Sequence, residues 1–410
     1  MTEVHQRSIS PKTGEWRDLN RYYWPWALIA PMLPAIAVGL VYGLQWWAPD
    51  VSQIAWWSGP IFLYVIVPIA DRLVVPFDEN PPEDLVEALE ADFWYRGCVY
   101  AYIPMQFFGV IFGGYLLTAD SLTWLGLEDG LPLVSKIGLA LTVGLVGGIG
   151  INTAHELGHK RVDYERWLSR IVLSQTFYGH FYVEHNRGHH VRVATPEDPA
   201  SSRLGETLWR FYPRSIVGGF RSGWTLEKER LAREGKRTFS WSNQNLTAWL
   251  MSAVLWAALC AIFGLDLLPF LVLQAVYGIS LLESVNYLEH YGLLRRTKEN
   301  GRYERCTPEH SWNSDYAVSD IFLYHLQRHS DHHANPTRRY QVLRSMPESP
   351  QLPAGYAPLI LVAYFPPLWR ALMDRRVVAH YDGNVTRASI QPGKREKYLR
   401  AFPPVATESR

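Results

Sequence analysis

Cysteine is scarce in this chain: there are three in 410 residues, and Cys98, Cys260 and Cys306 include no CxxC pair. That excludes a disulfide framework, a zinc ribbon and a four-cysteine iron site. Cys98 and Cys260 fall within apolar runs, where a thiol serves as a small buried side chain. Charge imbalance is missing too. Forty Lys and Arg face 39 Asp and Glu, for a formal net charge of +1, so the global basic signature of a nucleic-acid binder is absent and no nucleic-acid partner is expected. The opening stretch, MTEVHQRSISPKTGEWRDLNR, is polar and lacks an apolar core before a small-residue cleavage site, so no cleaved signal peptide is expected. There is no internal repeat, and no flavin, haem or iron–sulfur motif.

What the chain has in quantity is aromatic and apolar sequence. Aromatics make up 14% of it, with 17 Trp, a content common where rings sit at a lipid boundary. Six apolar runs are long enough to cross a bilayer as helices, near 25–47, 53–75, 97–117, 133–154, 246–264 and 267–288. Pro31, Pro34, Pro60, Pro68 and Pro104 lie inside them, which membrane bundles tolerate better than soluble helices do. Gly39/Gly43, Gly109/Gly113 and Gly144/Gly148 have the four-residue spacing that lets helices approach closely. The turns at 48–52, 119–132 and 265–266 carry no Lys or Arg, whereas Arg7, Lys12, Arg17 and Arg21 precede the first run and 155–245 and 289–410 are rich in both. The positive-inside rule then puts both termini and both large polar segments on the cytoplasmic side of the membrane.

The expected organisation is an all-α membrane protein of six transmembrane helices with a helical cap on the cytoplasmic side. A cytoplasmic segment spans 1–24, helices one to four 25–154, a polar segment 155–245, helices five and six 246–288, a second polar segment 289–382, and a loosely held polar tail 383–410. A helix starting at Ser319 or Asp320 is predicted to run through His325 and His329 to Asn335–Pro336, and the apolar stretch 357–373, interrupted by Pro366–Pro367, reads as interfacial.

Four stretches carry the chemistry: HELGHK (155–160), EHNRGHH (184–190), NYLEHYG (286–292) and LQRHSDHH (326–333). They supply His155, His159, His185, His189, His190, His290, His329, His332 and His333. Spacings of i, i+4 and i, i+3, i+4 place imidazoles on one helix face, where they can converge on a metal. His155 follows the fourth crossing and His290 the sixth, so all nine rings can meet on one side. Nine ligands exceed what one transition metal takes and imply two ions, with iron, copper, nickel and zinc all suited to imidazole. Glu156, Glu184, Glu283, Glu289 and Asp331 are candidate carboxylates for the outer ring nitrogens. His180, His310 and His325 are expected as hydrogen-bonded core residues, and His5 and His380 as solvated ones. HELGH is also an HExxH zinc-protease motif, but a catalytic zinc needs three protein ligands and would leave the other dense clusters idle.

The four histidine stretches, in this order, resemble the histidine boxes of the bacterial membrane-bound alkane 1-monooxygenase family. The likeness extends through VATPEDPA (193–200), HSWNSD (310–315) and HHANPTRRY (332–340), departing at Asn335, where histidine is more usual. It is more distant to the membrane fatty-acid desaturases, which share the nine-histidine plan. The resemblance implies a non-haem di-iron enzyme of the bacterial inner membrane, with two iron ions held by the nine histidines. Its activity would be hydroxylation of the terminal methyl of medium-chain n-alkanes to 1-alkanols with O2. Electrons would come from rubredoxin, itself reduced by a reductase. Lys160, Arg161, Arg166, Arg187, Arg192 and the segment 233–236 are the basic residues offered to that acidic partner. A desaturase or fatty-acid hydroxylase on the same plan is the alternative.

Overall fold

A long apolar segment can hide its peptide groups from lipid only by bonding them internally, and here six segments do so as helices. The computed structural model describes residues 16–403. Spans 1 to 6 are Leu19–Leu44, Pro49–Leu73, Phe93–Thr118, Leu133–Gly158, Gln244–Phe263 and Leu265–Glu289. Among the described residues extended pairing is limited to four isolated bridges, so the protein is all-helical. The large apolar side chains left outside, among them Leu250, Val254, Ile262, Val272 and Val276, suit a surface turned to lipid rather than water. Arg7, Lys12 and His5 lie outside the described residues.

Span 4 is the most enclosed of the six, and glycine explains how. A Cβ at Gly144 would stand 2.8 Å from the Gln274 carbonyl oxygen, and one at Gly278 would stand 2.9 Å from that of Gly144. Spans 4 and 6 therefore touch backbone to backbone. Gly113 likewise admits Val143 of span 4. The pair Gly39/Gly43 does not behave this way. Both face open space, because the spacing permits a close neighbour without supplying one.

The chain after span 4 forms a helical cap with the chain after span 6. Its main helices are Asp163–Val172, Leu208–Arg233, Tyr356–Ala363 and Pro366–His380. Phe211, Tyr287, Tyr291, Trp312 and Trp369 fill the core between cap and span 6, each at most 2% exposed. The proline-interrupted stretch is thus two packed helices, since Trp369 and Met373 are fully buried. The tail from Gly383 is also held, at least to residue 403. Leu204 and Ser389 pair through their backbones, and the Tyr398 hydroxyl donates to Asp374 at 2.6 Å.

The long helix expected from Ser319 to Asn335 is broken. Helix Ala317–Phe322 stops, Tyr324 and His325 take left-handed φ values of 52° and 54°, and a second helix runs His329–Ala334. Tertiary contacts compensate for the unfavourable backbone. The His325 ring packs edge-on against Trp24 at 4.7 Å and bonds the Tyr340 carbonyl, while the buried Arg328 guanidinium bonds the Leu343 and Phe77 carbonyls. An unbroken helix would leave His325 on the His329 face. The break swings it away. The first helix is capped from span 2, where Asp71 accepts from the Val318 and Ser319 backbone amides at 3.0 and 2.9 Å.

Candidate metal centre

The nine histidines collect in two adjoining sets. His155, His159, His185, His190 and His332 form one, and His189, His290, His329 and His333 the other, with the donor atoms of each set within 4.8 Å of one another. His190 and His333 join the sets, their ring centroids 4.4 Å apart.

Local backbone geometry decides which ring goes where. Span 4 ends at Gly158, so His155 and His159 share the face of its last turn. Residues His185–His189 form a wide π-helical turn. In it His185 pairs with His190, and His189 is turned into the other set, so the i, i+4 pairing read from sequence is split. On the short helix His329–Ala334, His329 and His333 face one set while His332 faces the other.

The distances suit ions. Within the first set the Nε2 atoms of His155 and His332 are 2.9 Å apart, those of His332 and His190 3.1 Å, and those of His190 and His185 3.0 Å. In the second, His329 Nε2 is 3.1 Å from that of His290 and 3.0 Å from that of His333. One imidazole nitrogen carries either a proton or a lone pair, so His332 and His329 cannot satisfy two such neighbours by hydrogen bonding. Adjacent donors about 2.1 Å from a shared ion would stand roughly 3 Å apart. His159 Nε2 and His189 Nε2 are moreover buried without a hydrogen-bond partner, as lone pairs directed at a cation would be. The residues present fit two metal ions.

The rings are held in the coordinating form. Burial, followed by the neighbouring imidazoles, holds His185, His190, His329, His332 and His333 well below the usual histidine pKa, and pushes His290 down to about 3. His189 differs: burial opposes its charge, but the carboxylates of Asp198, Glu184 and Glu283 together raise it. Asp198 Oδ2 lies 2.9 Å from His189 Nδ1, and the His310 carbonyl lies 3.2 Å from His290 Nδ1. Both partners only accept, so these Nδ1 atoms carry the proton and Nε2 is left for the metal.

Of the carboxylates proposed for such work, four are bonded elsewhere. Glu156 pairs with the buried Lys160 at 2.9 Å, Glu184 with Arg192 at 3.1 Å, and Asp331 with Arg338 at 3.3 Å. Glu283 accepts from the Tyr178 hydroxyl at 2.8 Å. Glu289 alone reaches a site histidine, with Oε2 3.2 Å from His329 Nε2. Asp198 was not among the sequence candidates; the signal available was its place in VATPEDPA, eight residues past the second histidine box. The remaining histidines stand apart. His310 is hydrogen-bonded to the Thr307 amide, and His180 is packed among Tyr178, Phe220 and Trp249 with neither ring nitrogen bonded. His380 is half-buried against Tyr381 rather than solvated.

A narrow, almost wholly apolar cavity runs between spans 2, 4 and 6 and the cap. Phe62, Leu145, Ile149, Asn152, Val285, Leu326 and Tyr356 are among the residues that line it, and the Tyr356 hydroxyl bonds Glu289, which stands 3.2 Å from His329.

Comparison with known proteins agrees with this site. The fatty acid desaturase family model matches residues 134–363, which contain all nine histidines. The chain is 44% identical to an alkane 1-monooxygenase of Acinetobacter baylyi over 94% of its own length and 91% of that protein's. It is 42% identical to alkane 1-monooxygenase 1 of Alcanivorax borkumensis, over 96% and 93%. A xylene/toluene monooxygenase hydroxylase component of Pseudomonas putida is 26% identical over 67% of this chain and 73% of that protein.

Proposed function

The chain belongs to the alkane 1-monooxygenase family, within reach of the fatty acid desaturase family model, and from that membership we propose that it hydroxylates the terminal methyl of medium-chain n-alkanes. The balanced reaction converts the alkane, O2, two electrons and two protons into a 1-alkanol and water. The observation that carries this reading is the apolar cavity walled by Tyr356, whose hydroxyl bonds Glu289 beside His329 of the four-histidine set. An alkane has no polar handle, so only shape and burial can hold it, and this cavity offers almost nothing but hydrocarbon along span 4.

We assign the two ions as iron, held by the nine histidines; when bound they supply O2 activation. The protein contributes the rest. Spans 2, 4 and 6 exclude water from the cavity, Asn152 and Leu326 bring a chain end to the histidines, and Asp198 and the His310 carbonyl fix two ring orientations.

The electron donor we assign is rubredoxin. Of the nine rings only His159 and His190 are half-buried rather than fully buried, so electrons enter most directly at the five-histidine ion. Arg161, Arg233 and Lys236 are exposed on the cap and suit an acidic partner. Lys160 cannot serve, being 3% exposed and bonded to Glu156. The cap lies on the cytoplasmic side of the bacterial inner membrane in this reading, consistent with the basic residues it carries.

The test is purified protein with rubredoxin, its reductase and octane. About two irons per chain and 1-octanol as product are expected, with both lost in His329→Ala. An unsaturated acyl product would favour the desaturase alternative, and a rate unaffected by salt would count against electrostatic docking.

A further inference from the structure

We propose that Glu289 donates a carboxylate oxygen to the ion of the four-histidine set, with Tyr356 as its positioning residue. The inference rests on the two-ion reading above and goes beyond it, since it makes the two ions chemically unlike.

The argument begins with the place of Glu289 in the fold. It ends span 6, is 1% exposed, and directly precedes the site ligand His290. Its Oε1 accepts a 2.8 Å hydrogen bond from the Tyr356 hydroxyl. That bond fixes the carboxylate plane and aims Oε2 at the site, 3.2 Å from His329 Nε2. This nitrogen is the one already crowded by the Nε2 atoms of His290 and His333. A single Nε2 cannot donate to two nitrogens and an oxygen at once. One cation between them resolves all three contacts.

Charge supports the same placement. Among the described residues no lysine or arginine forms an ion pair with Glu289, whereas Glu156, Glu184 and Asp331 each have one. A buried carboxylate without a counterion is costly, and a metal ion is the compensation at hand. The donor count also becomes even. Five nitrogens surround one ion, and four nitrogens with the Glu289 oxygen surround the other. Oxygen donors favour harder, more oxidised ions than imidazole does. Tyr356 meanwhile lines the apolar cavity, so one hydrogen bond ties the Glu289 carboxylate to the cavity wall.

Glu289→Gln and Tyr356→Phe in full-length protein loaded with 57Fe test this by Mössbauer spectroscopy and by the rate of iron release to a chelator. Wild-type protein should give two unequal quadrupole doublets and two release phases. Glu289→Gln should shift one doublet and speed one phase roughly tenfold or more, leaving the other unchanged. Tyr356→Phe keeps the carboxylate and should move the same doublet and phase by less, which a general folding defect would not do. Wild-type spectra and release rates in Glu289→Gln would overturn the assignment while leaving the two-iron reading intact. Wild-type protein that binds no iron would instead overturn that reading.

Discussion

Asp198 and His189, nine residues apart, are joined by a 2.9 Å contact between Oδ2 and Nδ1, with the carboxylate fully enclosed and its oxygens also accepting from Ser201 and the Ala200 amide. The pair fixes which nitrogen of His189 faces the metal. Asp198→Ala is therefore expected to weaken metal retention by about 10–100-fold. Dialysis against a chelator followed by metal analysis measures it. Retention equal to wild type would mean that the carboxylate serves only the loop after the second histidine box.

Asp71 holds the start of helix Ala317–Phe322 from a position 247 residues earlier in the chain. Asp71→Ala should cost about 0.5–2 kcal/mol of stability, the usual loss for a helix cap. It should lower the thermal midpoint in detergent without changing the metal content at low temperature. An unchanged midpoint would show that solvent or a neighbour replaces the cap.

The contact between spans 4 and 6 admits no side chain at Gly144 or Gly278, because the atoms met there are backbone. Gly144→Val is expected to destabilise by at least the 1–3 kcal/mol typical of overpacking. Gly39→Val, which points into open space, should be near neutral on the same detergent melt. Equal effects at the two sites would contradict the packing described here.

Chain-length preference should be set along span 4. Leu145 lies two turns above Asn152, about 10 Å further from the histidines. Leu145→Trp is expected to shorten the longest alkane accepted, and Leu145→Ala to lengthen it. Each methylene gained or lost is worth about 1–3 kcal/mol of discrimination. Product profiles across a homologous alkane series read this directly, and a profile identical to wild type in both variants would remove the cavity from the substrate path.

The six spans and the four histidine stretches were legible because each rests on a local pattern: a run of apolar residues, or rings spaced by a helical turn. The near meeting of those stretches also followed from counting crossings, since an even number separates His155 from His290. What stayed hidden depended on backbone departures from the regular helix. The wide turn at His185–His189 sends adjacent ligands to different ions, and the left-handed pair Tyr324 and His325 breaks a helix whose apolar pattern looked continuous. The left-handed pair carries no glycine or proline that would have announced it, and the single Gly188 inside the wide turn does not distinguish a π-helical turn from an ordinary helix. Asp198 is not legible because it lies outside every histidine stretch, and only the loop that follows the second one brings it back across nine residues to His189. The tail from Gly383 looked loose because its few anchors, Ile390 and Tyr398 among them, are scattered singly among polar residues.

The glycine contact between spans 4 and 6 has one more consequence. His155 stands at the foot of one helix and His290 at the foot of the other, so two of the histidine boxes ride on a single rigid strut. When a bilayer thickens or thins, the sparsely packed outer helices, span 5 above all, are free to tilt in response. The strut is not, so a change in lipid thickness leaves the spacing of these two histidine boxes as it is.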